Sequence, residues 1–175
     1  MENFKAYNPT TLHFGKGVIE ELASTVKPLG SKVLLVYGKG SVKRSGVFDK
    51  VKAQLEKAGA EVFEYGGIKP NPTVTDVDKA AALGREKGVD YVVAVGGGSV
   101  IDSAKIISIT IPVEHSAWRF YDYKARPVKA LPLIAVLTLA ATGTEMNPFA
   151  VLQNEETGRK EGYGSAFCFP KHSFL

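Results

Sequence analysis

Three glycines and a serine, at positions 96–99, form the stretch of this chain best suited to bind a ligand. They follow the apolar run of residues 91–95 and precede apolar residues at helical spacing, Val100, Ala104 and Ile107. A turn without side chains that leads into a helix presents backbone N–H groups, and the positive end of the helix dipole, to an anion. The stretch therefore predicts a site for the pyrophosphate of a nucleotide.

A structural interpretation of the same residues stays open. Glycine turns also occur where a strand packs tightly against a helix, and the spacing of Ser99 and Asp102 is that of a capping box at a helix start. The immediate succession of buried strand, glycine turn and capped helix favours phosphate binding. It does not indicate which nucleotide is bound.

The glycine turn needs a sheet to hold it, and the rest of the chain predicts one. Apolar runs alternate with segments of helical spacing, a pattern typical of right-handed βαβ units and a mostly parallel sheet. Predicted strands lie at 33–37, 61–65, 91–95, 131–138, 149–152 and 163–169; predicted helices lie at 18–26, 47–58, 73–87 and from residue 99 onward. We also predict an N-terminal strand or hairpin within residues 3–14. The predicted class is α/β, Rossmann-like, with helices on both faces of the sheet.

Ligands bind to such sheets beyond the carboxyl ends of the strands. Three loops of small residues are predicted at that edge, at positions 38–41, 96–99 and 138–144. Their convergence favours an extended dinucleotide over a single phosphate.

Composition favours one ordinary domain over residues 1–175. The net charge of +4 arises from 22 basic and 18 acidic residues that are interspersed, so nucleic-acid binding has little support. Cys168 is the only cysteine, which excludes an internal disulfide and favours a cytoplasmic location. The sequence contains no secretory signal and no apolar run of membrane-spanning length, so we expect no membrane partner.

The chain resembles the iron-containing (group III) alcohol dehydrogenases, in their butanol dehydrogenase-like branch. The matching segments run nearly from end to end. They are FGKG at 14–17, KPNPT at 69–73, GGGSVIDSAK at 96–105, LTxxATGTE at 137–145, TGRK at 157–160 and PKHSFL at 170–175. One departure lies at Leu139 and Ala141, where many members have Thr and Gly, but the hydroxyls of Thr138, Thr142 and Thr144 are retained.

The resemblance implies a cofactor site and the roles of its residues. Asn71 would line the adenosine side, Lys160 would reach the ribose nearest the nicotinamide, and Asn147 would lie close to the nicotinamide. The residues of the glycine turn would hold the pyrophosphate, with Asp102 nearby: Gly96, Gly97, Gly98 and Ser99. Three residues would line the cofactor groove: Thr138, Leu139 and Thr142.

The loop after the strand that ends at Tyr37 is expected to choose between NAD and NADP. In dinucleotide folds a carboxylate here bonds the ribose 2′-OH of NAD. This loop contains no acid before Asp49, and its candidate residues are Gly38, Lys39, Gly40, Ser41 and Lys43. The resemblance suggests that NAD-preferring relatives have Asp where this chain has Lys39. Glycines leave room for a 2′-phosphate, and lysines supply charge. We therefore predict NADP(H) over NAD(H), the alternative being a solvated basic turn.

Members of this family are longer and have a helical second domain, in which an Asp and three His bind the metal. His13, His115 and His172 are too scattered in this sequence to form a ligand motif such as H-x-x-x-H. The resemblance therefore implies that this chain corresponds to the cofactor half of the enzyme. Iron or zinc would bind the full-length protein and not this chain, which we expect to be inactive alone.

The full enzyme would interconvert small primary alcohols and aldehydes. Two alternatives stay open: a nucleotide-binding module without catalysis, and a relative such as a glycerol dehydrogenase or a dehydroquinate synthase. The KPNPT and ATGTE segments favour the alcohol dehydrogenase branch. We expect a homodimer, because an N-terminal edge strand can pair with a second subunit.

Overall fold

The computed structural model describes residues 3–175. Its main sheet contains β1 (Thr11–His13), β2 (Lys32–Tyr37), β3 (Glu61–Tyr65), β4 (Tyr91–Gly96), β5 (Leu133–Leu137) and β8 (His172–Phe174), and a separate hairpin contains β6 (Phe149–Gln153) and β7 (Lys160–Gly164). The α-helices are α1 (Leu22–Val26), α2 (Ser41–Arg44), α3 (Val47–Lys57), α4 (Val74–Lys87), α5 (Gly98–Thr110) and α6 (Trp118–Tyr121). The main sheet has the order β1-β8-β5-β4-β2-β3, and all of its neighbouring strands are parallel. The predicted Rossmann-like α/β class is confirmed.

The central strands β2, β4 and β5 are apolar along most of their length because helices cover both faces of the sheet. Every residue of β4 is buried. Alternate side chains enter two separate cores: Ala94 packs in the core that contains α4 and α5, and Val93 packs in the core that contains α1 and α3. Helices on both faces were predicted, and this arrangement holds β4 and the glycine turn at its end.

The β6–β7 hairpin lies against α5, outside the main sheet. Its register pairs Phe149 with Gly164, and the Tyr121 hydroxyl donates a hydrogen bond to the carbonyl of Ala150, 3.1 Å away. The prediction of a strand at 149–152 is confirmed. The second predicted strand, at 163–169, is present, but its predicted bounds are wrong. It spans Lys160–Gly164, directly after a tight turn, and residues 166–168 form a 3₁₀ turn.

Helix starts were predicted with mixed success. The side chain of Thr73 accepts a hydrogen bond from the N–H of Asp76 and caps α4, as predicted. The predicted capping box of Ser99 and Asp102 is wrong. Helix α5 begins one residue before Ser99, with Gly97 as its N-cap, so the carboxylate of Asp102 is available for other partners.

Candidate functional site

The turn after β4 leaves backbone N–H groups available at the start of α5. The N–H groups in the first turn of a helix have no intrahelical acceptor, and within residues 3–175 no side chain caps this end of α5. Gly98 and Ser99 line an open cavity beside the turn. The arrangement therefore offers donors that suit an anion, and the predicted binding of a pyrophosphate there stays a prediction.

The fold requires a glycine at one position of the turn and not at another. A Cβ on Gly96 would lie 2.7 Å from Cγ2 of Val100, so the fold itself requires a glycine at position 96. At Gly97 the φ angle is −86°, which any residue adopts, and an added Cβ would meet no atom within 4 Å. The fold therefore does not require a glycine at position 97. The absence of a side chain there leaves room for a ligand to approach the backbone closely.

Two cavities flank the turn, and we refer to the two together as the groove. The hairpin-side cavity, of about 310 Å³, is lined by Asn71, Pro72, Gly98, Ser99, Asp102, Ala141, Thr142, Val151 and Lys160. The β2-side cavity, of about 420 Å³, is lined by Ser41, Val42, Ser45, Gly97, Thr138 and Leu139. The structure thus brings together most of the predicted cofactor residues, although they come from loops far apart in the sequence.

Asn71 and Lys160 lie in the same cavity and contact each other. The ammonium of Lys160 donates a hydrogen bond of 2.7 Å to Oδ1 of Asn71. Asn71 has a φ angle of 59°, a left-handed conformation that asparagine tolerates better than most residues. The expected roles of these residues, the adenosine side for Asn71 and the ribose nearest the nicotinamide for Lys160, stay predictions, and the 2.7 Å contact shows only that the two side chains are neighbours in one cavity.

The loop after β2 places its polar residues in different surroundings. Ser41 lines the β2-side cavity, and Lys39 is exposed. The ammonium of Lys43 lies over the ring of Tyr37, 4.9 Å from its centroid. The guanidinium of Arg44 lies over Gly40, where an added Cβ would be 2.6 Å from Nη1. The loop therefore presents a hydroxyl to the β2-side cavity, and it contains three basic residues, Lys39, Lys43 and Arg44.

Asp102 lines the hairpin-side cavity and also bonds two segments that pack against α5. Its Oδ1 accepts a 2.6 Å hydrogen bond from the Thr144 hydroxyl, and its Oδ2 accepts a 3.0 Å bond from the N–H of Val151. Asp102 therefore fixes both the 138–147 loop and the β6–β7 hairpin against α5.

Lys105 is fully buried behind Asp102. Its ammonium donates to Oγ1 of Thr144 at 2.7 Å, to Oδ1 of Asn147 at 3.1 Å and to the carbonyl of Phe149 at 2.8 Å. Burial lowers the pKa of Lys105 from 10.5 to about 8, and the nearby Asp102 carboxylate opposes this shift. The ammonium thus uses all of its donors inside the protein.

The side chain of Asn147 is occupied by contacts within the protein. Besides the bond from Lys105, its Oδ1 accepts a 2.9 Å bond from the N–H of Phe149, and its Nδ2 donates to the carbonyl of Gly143 at 3.0 Å. These bonds fix the shape of the loop. Its predicted closeness to a nicotinamide stays a prediction.

Comparison with known proteins identifies the family of the chain. The family model described as iron-containing alcohol dehydrogenase matches residues 9–175. The chain belongs to the iron-containing alcohol dehydrogenase family. The resemblance drawn from the sequence motifs is thereby confirmed.

Individual relatives in this family match the whole chain. A probable NADH-dependent butanol dehydrogenase of Bacillus subtilis is 51% identical, and an NADPH-dependent aldehyde reductase of Escherichia coli is 40% identical. The crystal structure of NADH-dependent butanol dehydrogenase A from Thermotoga maritima is 44% identical, matches 99% of this chain and has a TM-score of 0.94. The chain spans about 45% of the length of the two curated relatives, and 44% of the crystallised chain.

The donors that a metal of this family needs are not grouped in the part of the chain that the structure covers. Among residues 3–175, no group of three or more His, Cys, Asp or Glu side chains is placed to hold a metal ion. His13 and His172 form a pair, 3.2 Å apart. The residues present do not fit a metal centre, so we derive no step through a metal. No helix over the same residues is long and apolar enough to cross a membrane.

Several residues of the site were not identified from the sequence, Ser45, Val151, Arg44 and Lys105 among them. Ser45 and Val151 line the cavities, Arg44 lies over the loop after β2, and Lys105 supports Asp102. A signal for Lys105 was present, because a lysine in the apolar stretch 100–111 needs a buried partner. No comparable signal distinguished the other three residues from ordinary surface or packing positions.

Proposed function

We propose that this chain binds NAD(P)H in the groove formed by the two cavities, with the pyrophosphate at the glycine turn. The observation that carries the proposal is the start of α5, where no side chain of residues 3–175 caps the first N–H groups. Beside them, Gly97 leaves the backbone without a side chain although the fold has room for one. A dinucleotide pyrophosphate is an anion that such a helix start binds well.

The cavities then take the two halves of the dinucleotide. The loop after β2, which lines one cavity through Ser41 and Ser45, occupies the position that contacts the adenosine ribose in dinucleotide folds. The hairpin-side cavity takes the nicotinamide half, with Asn71 and Lys160 together at its ribose. This placement keeps the predicted role of Lys160 and moves Asn71 to the nicotinamide side.

The activity that we propose for the whole protein is hydride transfer between NAD(P)H and a small aldehyde, or the reverse reaction with a primary alcohol. The support is the family and the names of its members, which include butanol dehydrogenases and an aldehyde reductase. The nicotinamide supplies the hydride, and the protein positions and shields it.

Calorimetric titration of the chain with NADPH, NADH, ADP-ribose and ATP tests cofactor binding. We expect the dinucleotides to bind more tightly than ATP, because only they fill both cavities. Tighter binding of ATP would favour the alternative of a nucleotide-binding module without catalysis. No binding of any of the four would overturn the proposal.

We propose further that the chain prefers NADP(H). The support is the loop after β2, in which Ser41 lines the β2-side cavity, Lys39 is exposed and the guanidinium of Arg44 lies over Gly40. Such residues offer the donors and the positive charge that a 2′-phosphate would need. The names of the relatives divide on this point, since the Bacillus subtilis protein is named NADH-dependent and the Escherichia coli protein NADPH-dependent. The preference therefore rests on the basic loop alone.

The preference is tested by the dissociation constants of NADPH and NADH for the wild type and Lys39→Asp. The carboxylate should repel the 2′-phosphate and accept a bond from the 2′-OH, so the variant should shift toward NADH. Lys129→Asp, at an exposed loop position outside the groove, is the matched control for the change in charge. A wild type that prefers NADH, or a ratio that Lys39→Asp leaves unchanged, would refute the preference.

We propose that two copies of the chain associate through β1. This strand is the edge of the main sheet, and apolar side chains near it are exposed, Phe14 at 76% and Leu12 at 45%. Within residues 3–175, β1 pairs with β8 on one side only. An edge strand with an open side and exposed apolar neighbours favours pairing with a second copy. Analytical ultracentrifugation should show a dimer, and a monomer at high concentration would contradict the proposal.

The prediction that iron or zinc does not bind this chain is tested directly. The chain is incubated with Fe²⁺ or Zn²⁺, desalted, and analysed for metal by mass spectrometry. We expect less than stoichiometric metal, and one equivalent retained per chain would refute the prediction.

A further inference from the structure

The groove contains a carboxylate beside the place proposed for an anion. Asp102 lines the same cavity as Gly98 and Ser99, whose N–H groups are proposed to bind the pyrophosphate. Like charges in close proximity repel, and the repulsion is strongest where water is excluded. A site for an anionic cofactor therefore needs a positive charge to compensate Asp102.

Lys105 supplies that positive charge from a buried position, outside the residues that line the cavity. Positions 102 and 105 are three residues apart on α5 and so lie on neighbouring parts of the helix surface. One hydroxyl separates the two charged groups: Thr144 accepts from the Lys105 ammonium at 2.7 Å and donates to the Asp102 carboxylate at 2.6 Å. The single hydroxyl proton of Thr144 can serve only in this direction, because an ammonium has no acceptor.

The surroundings of Lys105 favour this role over a direct contact with the cofactor. Its side chain is 0% exposed, and it is not among the residues that line either cavity. All three of its donors are used by Thr144, Asn147 and Phe149. A buried ammonium is costly, and it is tolerated when it is fully bonded and near a carboxylate.

We propose that Lys105 is a positioning residue of the cofactor site, which compensates the charge of Asp102 through Thr144 and so permits the pyrophosphate to bind beside a carboxylate. This inference rests on the proposed binding of NAD(P)H. It assigns Lys105 no contact with the cofactor. The same ammonium also bonds Asn147 and the carbonyl of Phe149 at the start of β6. One side chain therefore both compensates the charge of Asp102 and fixes the neighbouring loop and strand.

The test compares NADH affinity in Lys105→Met, in Asp102→Asn/Lys105→Met and in the wild type, by the fluorescence of bound NADH. Lys105→Met leaves Asp102 uncompensated and should weaken binding by about tenfold or more, the effect of losing one charge-assisted interaction. The double variant has neither charge and should recover most of that loss. Lys79→Met, at an exposed position on α4, is the matched control.

A structural role alone would not produce the recovery. If the double variant, folded by circular dichroism, binds NADH as weakly as Lys105→Met, the inference is overturned. It is also overturned if Lys105→Met binds like the wild type. If the wild type binds neither NADH nor NADPH, the proposed function itself fails.

The wild type offers a second test that needs no variant. The charged groups facing Lys105 are Asp102 on α5, Glu145 in the loop before β6, and Cys168 in the turn after β7. Burial raises the pKa of the Cys168 thiol to about 12, so it stays neutral where Lys105 loses its proton. NADH affinity should therefore fall as the pH rises through about 8. A flat affinity from pH 7 to pH 9.5, roughly the range over which a group of this pKa titrates, would overturn the inference.

Discussion

The substitution Gly97→Ala should leave the stability of the fold nearly unchanged and weaken the proposed binding of the cofactor. An added Cβ meets no atom within 4 Å, and the φ of −86° suits alanine. Alanine is a poorer N-cap than glycine by about 1 kcal/mol, but it lowers the entropy of the unfolded chain, a gain of about 0.4–1 kcal/mol. The free energy of unfolding should therefore change by less than about 1 kcal/mol, and Tm by less than about 4 °C for a chain of this length.

Cofactor binding should respond far more strongly. The methyl group would occupy the space through which the pyrophosphate approaches the N–H groups of Gly98 and Ser99. Each bond from an N–H to a charged oxygen contributes about 1.5–3 kcal/mol. Losing one bond should weaken binding by about ten- to a hundredfold, since 1.4 kcal/mol corresponds to a factor of ten.

The assay is calorimetric titration with NADPH and NADH, beside a thermal melt of the same samples. Gly96→Ala is the contrasting variant, because its Cβ would clash with Val100 at 2.7 Å. That variant should lose about 1–3 kcal/mol of stability through overpacking. If Gly97→Ala binds both cofactors like the wild type, the glycine turn does not hold the pyrophosphate.

Three further outcomes are expected. Arg44→Ala should weaken NADPH about tenfold through the loss of one charge-assisted contact and leave NADH nearly unchanged, as measured by their dissociation constants; equal losses would contradict its placement. Because the pKa of Lys105 falls from 10.5 to about 8 on folding, the unfolded chain binds more protons between these values. Wild-type stability should therefore rise with pH relative to Lys105→Met, by on the order of 3 kcal/mol, and urea unfolding at both ends of the window checks this. Phe174→Ala, at a buried position on β8, should cost about 3–5 kcal/mol of unfolding free energy, and a loss below about 1 kcal/mol would show that the site collapses easily.

The sequence predicted the parts of the fold that depend on local patterns. Continuous apolar runs identified β2, β4 and β5, because strands buried on both faces need apolar residues at every position. Thr73 identified the start of α4 through its side-chain cap. The position of the glycine turn at the carboxyl edge of the sheet was also predicted, because the loops that follow parallel strands meet at that edge.

The features that the sequence did not predict depend on contacts between distant segments. The pairing of Asn71 with Lys160 joins residues 89 apart, and no local pattern connects them. The spacing of Ser99 and Asp102 matched a capping box, but Asp102 bonds Thr144 and Val151 instead. Hydrogen bonds to distant residues thus replaced the local capping bond that the spacing of Ser99 and Asp102 predicted.

The position of β8 between β1 and β5 has a consequence for synthesis of the chain on the ribosome. β1 has no strand to pair with until residues 172–174 have been made. Even the hydroxyl bond that fixes its start, from Thr10 to the carbonyl of Pro170, spans 160 residues. Long-range pairings of this kind form late and slowly. During translation β1 therefore stays unpaired while β2 to β5 are synthesised, and it can join the sheet only when β8 does.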